Sequence, residues 1–409
     1  MAKRDFLKRL GPGIVTGAAD DDPSGIGTYT SVGATAGYGF LWSAVWLLPF
    51  AVAVQESCAR LAMVTGQGLA AVIKSRMPRW VLVLAVLLVA VANTVNIAAD
   101  LSIMSAALGL IVPIEGWLGV VLFALVLGFT EVVIPYHRYA KVLRWLCLSL
   151  LAYVAVLFVA KVDWHQVLTS TVIPSFDFSR LSFELLIALA GTTISPYLFF
   201  WQAAEELEEH KFKAGVEVSA GEISAMRGDV FAGMLTGVFI MFAIMATAAA
   251  TLNASGITQV SSAADAALAL KPIAGEFASL LFLLGILGVG LLSIPVLAGA
   301  TAYAVAETFG WRESLELKPR QAKAFYAVIV ISMAVALVLN LWGIEPVHFL
   351  LIAATLNGLT APVLMAIIWW LARDKNLLGK WASGRTSQIL LGIGTLAMGS
   401  LPLLWLFAS

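Results

Sequence analysis

Apolar runs of about 20 residues recur from one end of the chain to the other, the length a helix needs to cross the hydrocarbon of a bilayer. Two of them read WVLVLAVLLVAVA from Trp80 and LLFLLGILGVGLLSIPVLAGA from Leu280. Inside lipid every backbone N–H and C=O must be paired within the protein, so a chain patterned this way is restricted to a bundle of membrane-spanning helices. Charged residues make up 12% of the 409 positions, too few to clothe a water-soluble surface.

Eleven spans are predicted, at roughly 11–34, 38–64, 79–110, 116–135, 141–161, 180–207, 228–252, 274–307, 321–342, 347–372 and 386–407. Lys and Arg set the orientation, because they concentrate in cytoplasmic loops. With the N-terminal MAKRDFLKRL inside, only Lys161, Arg180 and Lys271 of the 25 Lys and Arg fall on the far side. The expectation is a cytoplasmic N-terminus and an extracytoplasmic C-terminus. Cys58 and Cys147 both sit in apolar segments and the four histidines form no ligand-spaced cluster, so neither a disulfide framework nor a Cys/His metal site is expected. No phosphate-cradling loop, nucleophile–base arrangement or nucleotide motif is present, which argues against an enzyme or an ATP-driven pump, and nothing points to nucleic acid.

Two spans are interrupted. The first opens with LGPGIVTGAA, about half the crossing length, and runs into DDDPSG before a Gly/Thr/Ser-rich second half. The sixth reads LLIALAGTTISPYLFFWQAAEE, with Gly191 and Pro196 flanking Thr192, Thr193 and Ser195. Proline removes a backbone donor and clashes with the preceding turn. Such breaks survive in a membrane only where the exposed backbone faces protein or a watery cavity. The breaks lie five spans apart, so the halves that contain them have opposite topology, which is the pattern of an inverted-repeat secondary transporter with its site near the midplane. The chain is expected to be one domain over 1–409, with repeats of about 11–161 and 180–372 and an extra helix at 386–407.

A carboxylate at membrane depth marks function by default. Beside an unwound backbone that offers carbonyl oxygens, Asp22 makes a cation site. A structural role is also open, in which Asp22 caps the second half-helix with Pro23 in its first turn. Asp20 and Asp21 either assist the site or line a solvated vestibule. Asn93, Asn96 and Asp100 share one face of the third span at i, i+3 and i+7, which suits interhelical hydrogen bonding as well as a functional role. Asn357 in the tenth span is either a further ligand or packing glue. Glu56 and Arg60 read as a structural i,i+4 pair, Glu131 and Asp229 as interfacial caps, and EELEEHKFK at 205–213 as a solvated charged linker.

The stretches GPGIVTGAADDDPSGIGTYTSVGATAGYGFLW and ARLAMVTGQGLA resemble the first two helices of the Nramp divalent-metal transporters, and the likeness extends to AADL in the third span and GTTISP in the sixth. The resemblance implies the leucine-transporter fold and movement of divalent metals by alternating access. It matches Asp22 to the metal-binding aspartate, Ala19 and Thr192 to positions that give backbone carbonyls, and Asp100 to an acid linked to proton movement.

The departures carry a physical meaning. Gly25 stands at the family's metal-binding Asn, Ser195 at its Met, Tyr197 and Gln202 at its two His, and Ile103 at a Glu of the third span. Losing the thioether leaves oxygen donors only, which suits hard cations, and Gly25 is expected to open space for a partly hydrated ion. Mg²⁺ releases water reluctantly and prefers one or two carboxylates with waters retained. The replacements resemble those of the Nramp-related magnesium transporters. The expectation is a monomeric inner-membrane carrier of Mg²⁺ and also Mn²⁺, with no cofactor and no proton coupling. Its metal site is expected to comprise Asp22, Ala19, Gly25, Thr192, Ser195, Tyr197 and Asn357, with Asp100, Asp20 and Asp21 near it. A proton-coupled Mn²⁺/Fe²⁺ symporter is the alternative.

Overall fold

The computed structural model of the protein describes residues 12–134, 147–210 and 218–408. They fold into helices joined by short turns. The first span is two helices, α1 (Pro12–Asp20) and α2 (Pro23–Ala36). Then follow α3 (Trp42–Thr65), the short α4 (Leu69–Arg76), α5 (Arg79–Gly109) and α6 (Gly116–Val133). Further along the chain come α7 (Leu151–Val159) and the short α8 (Trp164–Val172). The sixth span is again two helices, α9 (Arg180–Thr193) and α10 (Pro196–His210). The chain continues with α11 (Ala220–Thr251), α12 (Ala278–Phe309), α13 (Lys323–Asn340), α14 (Pro346–Ala372) and α15 (Arg385–Phe407).

Nine segments among the described residues are long and apolar enough to cross a membrane. The predicted first span is absent from that set because it is divided into halves of 9 and 14 residues. Part of the predicted fifth span, 141–146, lies outside the described residues. The seventh span begins at Ala220, earlier than the expected 228. Its first turns are polar, held by a capping box in which the Ser219 hydroxyl accepts from Glu222 N–H and Glu222 accepts from Ser219 N–H. Hydropathy registers only the apolar remainder.

Burial separates the centre of the bundle from its rim. The apolar window of the second broken helix is 94% buried, against 33% for α6 and α13 and 28% for α15. The broken helices are therefore enclosed by their neighbours, as an interrupted backbone in a membrane requires. Close approach through glycine achieves this. A Cβ at Gly17 would sit 2.2 Å from the Gly233 carbonyl oxygen of α11, and one at Gly191 would sit 2.2 Å from that of Ala354 in α14. Helices without a hydrophobic driving force between them depend on such small-residue contacts.

Three sequence expectations change here. Asp229 lies well inside α11 and caps another helix, accepting from the Gly13 N–H at the start of α1 at 2.6 Å. Glu131 is buried in the last turn of α6 with both carboxylate oxygens unpaired among the described residues, so it is not an interfacial cap. Glu205 and Glu206 are buried on α10, which runs on to His210; Glu206 Oε1 accepts from Gln202 Nε2 at 2.9 Å. The linker expected to be solvated is thus helical and interior over its first part, while 211–213 fall outside the described residues.

Candidate metal site

Both interruptions form where the sequence places proline after polar residues. Asp22 has extended backbone (φ −65°, ψ 169°) and its Oδ1 accepts from Gly25 N–H at 2.7 Å, which caps α2 with Pro23 in the first turn. At the second break Ile194 leaves the helical region and Pro196 opens α10. Carbonyls in the last turns of α1 and α9 accept from side chains beyond the breaks, Ala19 from the Tyr197 hydroxyl and Gly191 and Thr192 from that of Ser195.

The structure brings Asp22, Ala19, Tyr197 and Asn96 together. The Tyr197 hydroxyl donates to the Ala19 carbonyl at 2.7 Å and lies 3.4 Å from Asp22 Oδ2. Asn96 Nδ2 donates to the same Asp22 oxygen at 3.4 Å. At the other break the Ser195 hydroxyl donates to the Thr192 carbonyl at 2.8 Å, and the Thr192 and Thr193 hydroxyls bond back to the preceding turn. No hydrogen bond joins Ser195, Thr192 or Asn357 to Asp22 among the described residues. Tyr197 lies on α10 and Ala19 on α1, and a second bond ties the same two half-helices, from the Thr16 hydroxyl to Gln202 Oε1 at 2.6 Å.

Around Asp22 lie several buried oxygens. Asn96 Oδ1 finds no hydrogen-bond partner among the described residues. Asp100 faces the Ser24 N–H, the Ser293 hydroxyl and the charge of Asp22, and the Ser24 hydroxyl faces Asp22 itself. Asn357 is fully buried on α14, and neither end of its amide is paired. Asp20 and Asp21 are also buried, at 2% and 3% exposure, so they do not line a solvated vestibule. Asp20 lies against Gly237 of α11. The three successive aspartates do not converge, since no three acidic, His or Cys side chains among the described residues share one point. Among the described residues no basic side chain pairs with them: the ion pairs join Arg60 and Arg227 to Glu56, Arg76 to Asp374 and Arg180 to Glu184. A buried polar atom left unpaired is destabilising, and a cation is the partner that would satisfy several oxygens at once.

Gly25 departs from expectation. A Cβ there would meet the ring of Tyr29 at 3.2 Å, so the room left by the missing side chain is taken by an aromatic edge one turn further along α2. Asn93 and Asn96 divide the roles weighed for their helix face. Asn93 Nδ2 donates to the Leu297 carbonyl and the Thr301 hydroxyl of α12 at 3.0 and 2.9 Å, which is packing, whereas Asn96 reaches the aspartate. Asn96 was missed as a site residue although its place one turn before Asp100 puts it on the same face.

A fold with two interrupted helices enclosing an unneutralised aspartate is that of a secondary transporter, and comparison with known proteins agrees. The family description "Natural resistance-associated macrophage protein-like" (Nramp) matches residues 13–408. The chain belongs to the Nramp family. It is 26% identical over 395 residues to the divalent metal cation transporter MntH of Pectobacterium carotovorum, covering 93% of this chain and 90% of that protein. It is 27% identical over 403 residues to the protein of the same name from Aeromonas hydrophila, covering 95% and 92%. The structure resembles that of the Eremococcus coleocola manganese transporter, with a TM-score of 0.76 at 17% identity over 98% of this chain and 87% of that one. A Na⁺-coupled sialic acid symporter in an outward-open state aligns with a TM-score of 0.53 at 12% identity over 95% and 90%.

Proposed function

We propose that this protein carries divalent metal cations, Mg²⁺ and also Mn²⁺, into the cell by alternating access and without coupled proton movement. The observation that carries the reading is the set of buried oxygens gathered around Asp22, which no basic side chain among the described residues pairs with. Membership of the Nramp family and likeness to proteins named as divalent metal cation transporters support it. Asp22 supplies the charge. Ala19 and Thr192 supply backbone carbonyls, each of which has a lone pair beyond the one that receives the Tyr197 or Ser195 proton. Those two hydroxyls, having donated, present oxygen to the ion or to its retained waters, as does the unpaired amide of Asn357. Such a donor set holds hard cations and has no preference for soft ones.

Alternating access follows from the two breaks. Half-helices hinge where the backbone is already unwound, and the bonds Tyr197–Ala19 and Thr16–Gln202 couple α1 to α10 so that the two move as one body. In this reading the protein is a monomer in the inner membrane, and the distribution of Lys and Arg supports a cytoplasmic N-terminus.

Proton coupling needs a group that titrates near neutrality beside the ion. Tyr197, Gln202 and Ile103 supply none. Proton-coupled Mn²⁺/Fe²⁺ symport is the second reading, and Asp100 favours it, a carboxylic acid buried beside Asp22. Proteoliposomes loaded with a pH dye separate the two. Mg²⁺ or Mn²⁺ influx with no change of internal pH is expected. Acidification that tracks metal entry overturns the uncoupled reading.

A further inference from the structure

Away from the broken helices, a groove of about 590 Å³ opens between α3, α11 and the start of α15. One wall is apolar, made by Leu48, Val52, Phe231 and Leu390. It continues onto a surface that faces lipid, where Phe231 is 49% and Ile393 50% exposed. The other end is charged. Arg60, Arg227 and Arg385 line it together with a single carboxylate, Glu56, which leaves a surplus of two positive charges.

The hydrogen bonds within the groove do not use up that surplus. One oxygen of Glu56 accepts from both Arg60 Nη2 and Arg227 Nε, the latter at 2.9 Å. Arg60 Nη1 donates to the Ser383 hydroxyl at 3.2 Å. Arg60 itself is only 2% exposed, yet its Nε–H has no partner among the described residues, and neither has the second oxygen of Glu56 nor the buried Ser387 hydroxyl on the opposite wall. Arg385 is exposed, makes no ion pair among the described residues and is the first residue of α15, so it stands where the apolar span meets the headgroup layer. A buried guanidinium N–H and a hydroxyl, both unpaired and set behind two arginines at the mouth, call for an anion with several acceptor oxygens. The apolar wall beside them calls for hydrocarbon.

We propose that this groove binds an anionic phospholipid from the leaflet on the Lys/Arg-rich side of the protein. Its phosphate lies among Arg227, Arg385, Arg60 Nε and Ser387, and its acyl chains run along Phe231 and Leu390. Basic recesses between membrane helices capture anionic headgroups by this combination of charge and apolar contact. The lipid bridges α3, which packs on the broken half-helix α10, and α11, which packs along α1 and α2. Its binding therefore stabilises the scaffold that holds both interruptions.

Thermal unfolding of the delipidated full chain in neutral detergent tests the proposal with no metal present, so its outcome is separate from that of the transport reading. Phosphatidylglycerol is expected to raise the unfolding temperature of the wild type in a saturable way. Phosphatidylcholine with the same chains and inorganic phosphate are expected to leave it unchanged. Arg385→Gln breaks no ion pair seen in the structure and should unfold at the wild-type temperature without lipid. It is expected to need about tenfold more phosphatidylglycerol for the same shift, the equivalent of one lost charge-assisted contact at about 1.4 kcal/mol per decade. Ser387→Ala, a second mild change, should weaken the response in the same direction. An equal shift with phosphatidylcholine, an equal shift with inorganic phosphate, or an unaltered phosphatidylglycerol response in both variants would overturn the proposal.

Discussion

Asp22→Asn is expected to reduce Mg²⁺ and Mn²⁺ influx into proteoliposomes by about 100-fold or more, since even the outer partners of metal ligands cost roughly 10–100-fold when removed. The substitution is unusually clean. Asp22 has two functions in the structure, the cap on Gly25 N–H at 2.7 Å and a negative charge in a buried place. Asparagine keeps the first, because its side-chain oxygen caps a helix as well as a carboxylate does. It removes the second, together with the long 3.4 Å bond that Oδ2 accepts from Asn96 Nδ2. The interrupted geometry, the Tyr197–Ala19 bond and the packing of α2 should therefore persist, and loss of flux in a protein that still unfolds at the wild-type temperature assigns the effect to charge. Retention of wild-type flux by Asp22→Asn would mean that the ion crosses elsewhere.

Ser195→Cys has the second largest expected effect, and it falls on selectivity. Ser195 is 1% exposed at the second break, with its hydroxyl turned to the Thr192 carbonyl. Cysteine is close to serine in size, so it places a soft sulfur at the break without crowding a close-packed interior. Soft ligands favour softer ions over Mg²⁺. The ratio of Cd²⁺ to Mg²⁺ uptake is expected to rise roughly tenfold, which needs only about 1.4 kcal/mol of differential binding. Ser195→Met introduces the family's own ligand type and should move the ratio the same way. Unchanged ratios in both variants, with flux retained, would remove Ser195 from the ion's surroundings.

Where the sequence was legible, the cause is local. The third, tenth and eleventh helices end within about a residue of the expected positions because Arg79, Arg373 and Arg385 punctuate their apolar runs. The breaks were legible because Pro23 and Pro196 follow polar residues that bond back to the chain, whereas Pro49, Pro295, Pro362 and Pro402 lie in apolar runs and stay inside their helices. What was illegible depends on contacts distant in sequence. That Asn96, not Asn93, meets Asp22 is decided by how α5 is rotated between α2 and α12, and residue spacing alone puts both on one face without choosing between them. The space beside Gly25 is closed by Tyr29, whose ring direction is fixed by packing. Glu206 looked solvated because charged residues usually are; Gln202, one turn away, pairs with it and allows burial. Asp229 read as a cap for its own helix, while its partner is the start of α1, more than 200 residues earlier.

Anomalous scattering from crystals soaked in Mn²⁺ addresses the ion's position most directly. One dominant peak is expected between the two interruptions, within about 2–2.5 Å of a carboxylate oxygen of Asp22, the range for hard cations on oxygen ligands. A dominant peak elsewhere, for example among the glutamates Glu208, Glu307 and Glu313 near the C-terminal ends of α10 and α12, with none at Asp22, would contradict it.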